Sequence, residues 1–196
     1  MTEGRVLVLK LGGSLAECGR LADIADRVAT ATVPVVVVPG GGPFADAVRA
    51  LQPRYAYSDV TAHQLALLAM HQMGLVVAAW SPRFQCAGTL EAIGRALDQR
   101  LVPVWLPYAL QHNETSLPAD WSVTSDSLAA RLAERLGNAT VALVKSCAVP
   151  PGATLDCLTR SGVVDPMFGA IVERAGLTWR VYGGDDCHEL QNALHP

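Results

Sequence analysis

Lysine is all but missing from this chain. Of its fifteen Lys and Arg residues, thirteen are arginine, and only Lys10 and Lys145 are lysine. The basic residues are scattered and the formal net charge is −3, which excludes the basic stripe of a nucleic-acid binder. No basic n-region followed by an apolar h-region opens the sequence, so no secretory signal is expected. The longest apolar stretch, Leu65 to Trp80, is interrupted by His71 and Gln72 and reads as too short and too polar for a membrane span. The five cysteines (Cys18, Cys86, Cys147, Cys157, Cys187) form no C-x-x-C and are odd in number. That pattern excludes a zinc ribbon or a disulfide framework and fits reduced thiols in the cytoplasm.

What the chain does have is a large supply of core. Half of its 196 residues are hydrophobic and only 17% are charged, enough for one domain with a sizeable interior. Apolar runs at 5–11, 33–38, 75–80, 101–106, 139–145 and 177–182 read as strands. Helical spacing is read at 15–31, 44–51, from Asp59 through His71, and at 89–99, 124–136, 165–175 and 186–194. Pro53 is expected to stop the 44–51 helix, Asp59 to cap the next one and Gly137 to end the one before 139–145. Residues 107–122 and 146–161 read as loops. Strands alternating with helices predict an α/β fold, a three-layer α/β/α sandwich on a mainly parallel sheet.

Two of the strands run into glycine. Val6–Leu11 leads to Gly12-Gly13-Ser14, and Val35–Val38 leads through Pro39 to Gly40-Gly41-Gly42. A buried strand, a glycine turn and then a helix place bare backbone N–H groups at a helix N-terminus, an arrangement that binds anions and phosphate above all. The G-x-x-x-x-G-K-[ST] spacing of a P-loop is absent, and so is G-x-G-x-x-G. An ordinary β–α turn remains an alternative for Gly12-Gly13, and a flexible connector for Gly40–Gly42. Lys10 stands just before the first turn, and Lys145 closes the strand Val141–Val144. A surface lysine at a strand end is the bland reading of Lys145. Both ammoniums are mobile point charges suited to a phosphoryl group in transit. Thr124, Ser125 and Asp126 open a helix, where they serve as caps, and Asp126 could also hold two ammoniums. His63 and His71 share one helix, as core-edge or interface residues or as part of a site.

Together these elements resemble the amino acid kinase family. The resemblance rests on K-x-G-G-S at Lys10 to Ser14, G-G-G at Gly40–Gly42, T-x-D-x-x-A at Thr124 to Ala129, and a strand-closing lysine at Lys145. It implies ATP and Mg²⁺, no metal site built from protein side chains, and at least a homodimer. It also implies two lobes, about 1–138 for the acceptor and a shortened 139–196 for the nucleotide. Lys10, Asp126 and Lys145 would be catalytic. Lys10, Gly12, Gly13, Ser14, Lys145 and Ser146 would hold the nucleotide phosphates, and Gly40, Gly41, Gly42, Thr124 and Ser125 the acceptor. The stretches from Ser58 to Gly74, Leu106 to Tyr108 and Leu117 to Ser127 are similar to the branch of that family serving methanofuran biosynthesis. The acceptor there is (aminomethylfuranyl)methyl phosphate. A kinase for a nucleoside monophosphate, an isoprenyl phosphate or a carboxylate is the neighbouring possibility. Ser146 to Gly152 replaces the Asp-Gly turn usual in the family, which keeps a non-catalytic binding or storage protein open as an alternative.

Overall fold

The computed structural model describes residues 5–112, 114–184 and 186–196. Met1–Gly4, where a signal sequence would begin, lie outside the described residues. In chain order the elements are β1 (Val6–Leu11), α1 (Ser14–Glu17), α2 (Leu21–Ala29), β2 (Val35–Pro39), α3 (Gly42–Tyr55), α4 (Asp59–Ala78), β3 (Phe84–Ala87) and α5 (Leu90–Asp98). The second half holds β4 (Val102–Trp105), α6 (Tyr108–Gln111), α7 (Ser125–Leu136), β5 (Ala139–Val144), α8 (Leu155–Arg160), α9 (Pro166–Arg174), β6 (Thr178–Tyr182) and α10 (Cys187–Leu194). The six strands form one sheet in the order β3-β4-β2-β1-β5-β6, and every neighbouring pair is parallel.

Both faces of the sheet are covered, which is why its central strands are apolar at nearly every position. Successive side chains of a strand point to opposite faces. In β1, Val6 and Val8 join one core with Leu128, Leu132 and Phe168 of α7 and α9. Leu7, Leu9 and Leu11 join the other, with Ile24 and Val28 of α2 and Leu190 and Leu194 of α10. Val141 and Leu143 of β5 share the face of Val6 and Val8. Lys10 continues that parity, and so does Lys145, one residue past β5. Alternation therefore sends both lysines toward α7.

The structure departs from the expected elements in several places. Residues 75–80 are not a strand, because α4 runs on to Ala78 and a turn follows. An unbroken apolar run does not distinguish strand from buried helix, and a helix already propagating from its cap adds one bond for each residue fixed. The third strand is Phe84–Ala87, four residues too short to announce themselves. The cap of α4 is Ser58, whose Oγ accepts from Thr61 N at 3.2 Å, and Asp59 is the first helical residue. The 15–31 segment is two helices, parted at Gly19, where φ is +73°. Pro53 does not end α3. The helix passes through it and stops at Ala56, in the left-handed region at φ 52°, whose N–H returns to Gln52 O at 2.8 Å. Within the expected loops, α6 and α8 each form a short helix. At 20 residues, α4 also reaches the length and apolarity of a membrane span, which its sequence had argued against. Its Leu67, Met70, Met73 and Val77 are buried in the sheet's cover.

Candidate functional site

At the C-terminal end of the sheet, β1 and β2 deliver their glycine turns side by side. The turns are so close that neither tolerates a side chain. A Cβ on Gly13 would lie 2.6 Å from Gly42 N, and one on Gly40 would lie 2.5 Å from Gly13 N. Gly42 has φ +52°, a conformation natural to glycine. Two of the amides expected to bind phosphate are already engaged. Gly12 N donates to Val144 O at 3.1 Å and Gly40 N to Leu11 O at 2.8 Å, so both glycines extend the sheet ladder and shape the turns. Gly13, Ser14, Gly41 and Gly42 have no acceptor for their amides among the described residues. These four N–H groups form the floor of the site, open to an anion.

The same strand ends carry a buried charge triad. Asp126, in the first turn of α7, is 3% exposed, and Lys10 is 5% exposed. Lys10 Nζ stands 2.7 Å from Asp126 Oδ1, and Lys145 Nζ donates to Oδ2 at 2.6 Å. One carboxylate thus positions both lysines of the chain. Burial alone would raise the Asp126 carboxyl, but the Lys10 and Lys145 ammoniums hold it below the usual carboxylate value. Burial, reinforced by the nearby Lys10 cation, lowers Lys145 from 10.5 to about 8 against the pull of Asp126. With two cations to one anion, the triad carries a net positive charge where water is scarce. Ser146 Oγ donates to Ser14 Oγ at 2.8 Å, tying the turn after β5 to the turn after β1.

Thr124 is the cap residue of α7, yet its side chain caps nothing on its own helix. Asp165, 41 residues away and 8% exposed, performs that task. Its carboxylate accepts from Thr124 N at 2.8 Å, Thr124 Oγ1 at 2.7 Å and Ser127 N at 3.0 Å, and also from Ser127 Oγ. The same carboxylate takes Phe168 N at 3.0 Å and so caps α9. Asp165 was not anticipated as part of the site. The Asp-Pro pair it forms with Pro166 signals the start of α9, but nothing local points to Thr124.

Beside the floor opens a cleft of about 300 Å³. Gly13, Gly41, Gly42, Thr124 and Ser125 form its polar end, and Leu67, Met70, Val123 and Leu128 its apolar wall. The Arg49 guanidinium lies 4.3 Å from the centroid of the Trp121 ring, and Trp121 Nε1 donates to Gln52 Oε1 at 2.7 Å, closing the far end. His63 faces this cleft, and burial lowers its pKa against the pull of Asp120. His71 does not reach the cleft lining. Its Nε2 accepts from Tyr108 N at 2.9 Å, a structural contact. Arg49 is on the helix that Gly42 opens, but Trp121 is 72 residues further on, so no local signal pairs the two.

A parallel sheet that sets two glycine turns side by side at its strand ends, and aims two lysines at one aspartate, defines an α/β protein of a known kind. The chain belongs to the amino acid kinase family, whose profile matches residues 5–147. Among curated proteins it is similar to [5-(aminomethyl)furan-3-yl]methyl phosphate kinase of Methanocaldococcus jannaschii, 28% identical over 123 residues. That match spans 62% of this chain and 56% of the relative. Among solved structures, uridylate kinase from Archaeoglobus fulgidus superposes with a TM-score of 0.66 at 17% identity, covering 97% of this chain and 95% of that one. Carbamate kinase from Giardia lamblia bound to AMP-PNP gives 0.61 at 11% identity, covering 98% and 97%. An isopentenyl phosphate kinase gives 0.55 at 16% identity, covering 96% of each. These likenesses show the fold.

Proposed function

We propose that the chain is an ATP-dependent phosphotransferase whose acceptor is a small phosphate monoester, (aminomethylfuranyl)methyl phosphate, converted to its diphosphate. The observation that carries this reading is the buried Lys10–Asp126–Lys145 triad, with Lys10 and Asp126 next to the turn and helix start that, with the four free amides, line an organic-sized cleft. The cleft's mixture of a polar floor and an apolar, aromatic wall suits a phosphate on a flat ring. The printed activity of the Methanocaldococcus jannaschii relative supports the particular acceptor.

Phosphoryl transfer asks the protein mainly for alignment and charge neutralisation. Gly13 and Ser14 amides receive the phosphates of ATP, and Gly12 lets the turn pass close to Val144 O, which would lie 3.0 Å from a Gly12 Cβ. Gly41 and Gly42 amides hold the acceptor phosphate with Ser125. Gly40 and Thr124, expected to touch the acceptor, act one step back, by fixing the turn and by binding Asp165. Lys10 spans donor and acceptor, Lys145 offsets charge on the nucleotide side, and Asp126 keeps both in place. An acceptor oxygen bonds to the γ-phosphorus as the bond to the ADP oxygen breaks. Four negative charges on ATP and two on the acceptor become three on each product, so no proton moves and no general base is needed. Among the described residues no group of three or more His, Cys, Asp or Glu side chains is placed to hold a metal ion. Mg²⁺ would enter with ATP, held by its phosphates, as it commonly does in kinase sites.

The test is phosphorus NMR of the protein with ATP, Mg²⁺ and (aminomethylfuranyl)methyl phosphate. New diphosphate resonances, absent with Lys10→Ala, support the reading. ATP bound without transfer to this or any other phosphate monoester would leave a binding protein on the same fold. We further propose a homodimer in the cytoplasm. Phe44, Leu51, Tyr55, Val60, Leu68 and Leu75 are exposed on α3 and α4, an apolar surface that a second copy would cover. Light scattering reads the mass, and Leu68→Glu with Leu75→Glu should yield monomer.

A further inference from the structure

Beyond the two lysines, a third cation stands at this end of the sheet. Arg20, the residue before α2, is half-buried. Among the described residues its guanidinium meets one hydrogen-bond acceptor, the Cys187 Sγ, to which Nη2 donates at 3.1 Å. A thiol is a weak acceptor, and a guanidinium carries five donors in a planar fork that matches phosphate. Among the described residues no carboxylate pairs with it. By contrast Arg131 and Arg135 share Glu114, and Arg49 pairs with Asp46 at 3.1 Å.

Its position in the sheet tells which phosphate it would meet. A Cβ on Gly184 would lie 3.3 Å from Arg20 Nη1 and 3.1 Å from Ser146 O, so both atoms flank one point in the turn after β6. Ser146 is the residue whose hydroxyl binds Ser14 of the Lys10 turn. Gly183 and Gly184 pack closely on Val149, Cys147 and Ser146, which sets this third glycine turn against the turn after β5. Arg20 is thus on the β5–β6 side of the Lys10 turn. The acceptor cleft is on the β2 side.

We infer that Arg20 is a nucleotide-phosphate contact, held in readiness by the Cys187 thiol and taken up by the phosphate when nucleotide binds. The inference rests on the phosphotransferase reading. Isothermal titration calorimetry with ADP and with adenosine, on the wild type, Arg20→Met and Arg20→Lys, tests it. Arg20→Met should weaken ADP about tenfold or more, the scale of hydrogen bonds to a charged group. Adenosine affinity and the acceptor KM should stay within about twofold, and Arg20→Lys should recover part of the loss. Equal ADP affinity in wild type and both variants would overturn the inference, whatever happens to thermal stability. Arg20 would then be a strut between α2 and α10, as Arg27 is through Gln191 at 3.1 Å. If Arg20→Met does not fold, Arg20→Lys alone decides, by weakening ADP but not adenosine or by changing neither. A wild type that binds no ADP overturns the phosphotransferase reading itself.

Discussion

Lys145 and Asp126 meet in a 2.6 Å contact across the gap between β5 and α7. The carboxylate orients the ammonium, yet burial and Lys10 leave Lys145 with a proton it releases near pH 8. Activity should therefore fall as pH rises through about 8 in the free enzyme. A kcat/KM profile reads it, and Lys145→Arg should move the alkaline limb upward, since an arginine stays charged. The sign for stability is opposite. The unfolded chain holds the Lys145 proton to about 10.5 and the folded chain to about 8. Between those values the unfolded state binds more protons, so the Lys145 contribution to stability rises with pH. Urea midpoints at pH 7.5 and 10, for wild type and Lys145→Arg, separate the two trends.

Lys10→Ala should lower kcat by about 10²–10³-fold, by analogy with losing one preorganised donor at a developing charge. Asp126 keeps its Lys145 partner in this variant, so the fold should survive. Steady-state kinetics with a thermal unfolding scan checks both halves, and a variant that keeps most of its turnover removes Lys10 from the chemistry.

Asp126→Asn should behave differently. It leaves two buried ammoniums beside each other without a counter-charge, and breaking buried ion pairs in this way costs about 3–5 kcal/mol. Chemical denaturation should show that loss together with a collapse of activity. Full stability would show that the lysines find another partner.

Gly13→Ala places a methyl group 2.6 Å from Gly42 N, where backbone cannot yield cheaply. The two turns must part, and the four free amides lose their common focus. Activity should drop by at least about tenfold, the effect of a misplacement well under 1 Å in a positioning site. ADP affinity measured alongside should fall as well.

Asp165→Ala removes one carboxylate that caps two helices. Each cap is worth about 1 kcal/mol, and the buried Ser127 hydroxyl loses its partner as well. The urea midpoint should fall accordingly, and kcat should fall because Ser125 and Asp126 lie in the turn released. An unchanged midpoint would mean that Thr124 reverts to capping α7 itself.

Much of this molecule could be read from its residues in order. The strand parity that aims Lys10 and Lys145 at one face is written in Val6-x-Val8-x-Lys10 and Val141-x-Leu143-x-Lys145, because alternation is a local property of extended backbone. The glycine turns were legible because glycine runs at strand ends are a local signal, although their close approach to each other is not. Residues 75–80 misled, because an apolar run bound for the interior looks alike as helix or strand. Which of the two forms depends on what caps the segment and what it packs on.

Other features exist only in three dimensions. Gly12 and Gly40 were expected to offer their amides to phosphate, but the ladder bonds to Val144 and Leu11 had already claimed them, and a strand's partner is not written in its own sequence. Asp165 caps a helix that begins 41 residues earlier. Arg49 lies over Trp121, and Arg20 reaches Cys187, across separations no local pattern spans. Local backbone preference and hydrophobic period thus settled the α/β class, the order of most elements and the face to which both lysines point. The long-range closure of the sheet and its helices settled which turn amides are engaged, what holds Asp126 still and which side chain Arg20 meets, since those depend on partners that meet only when the chain has folded.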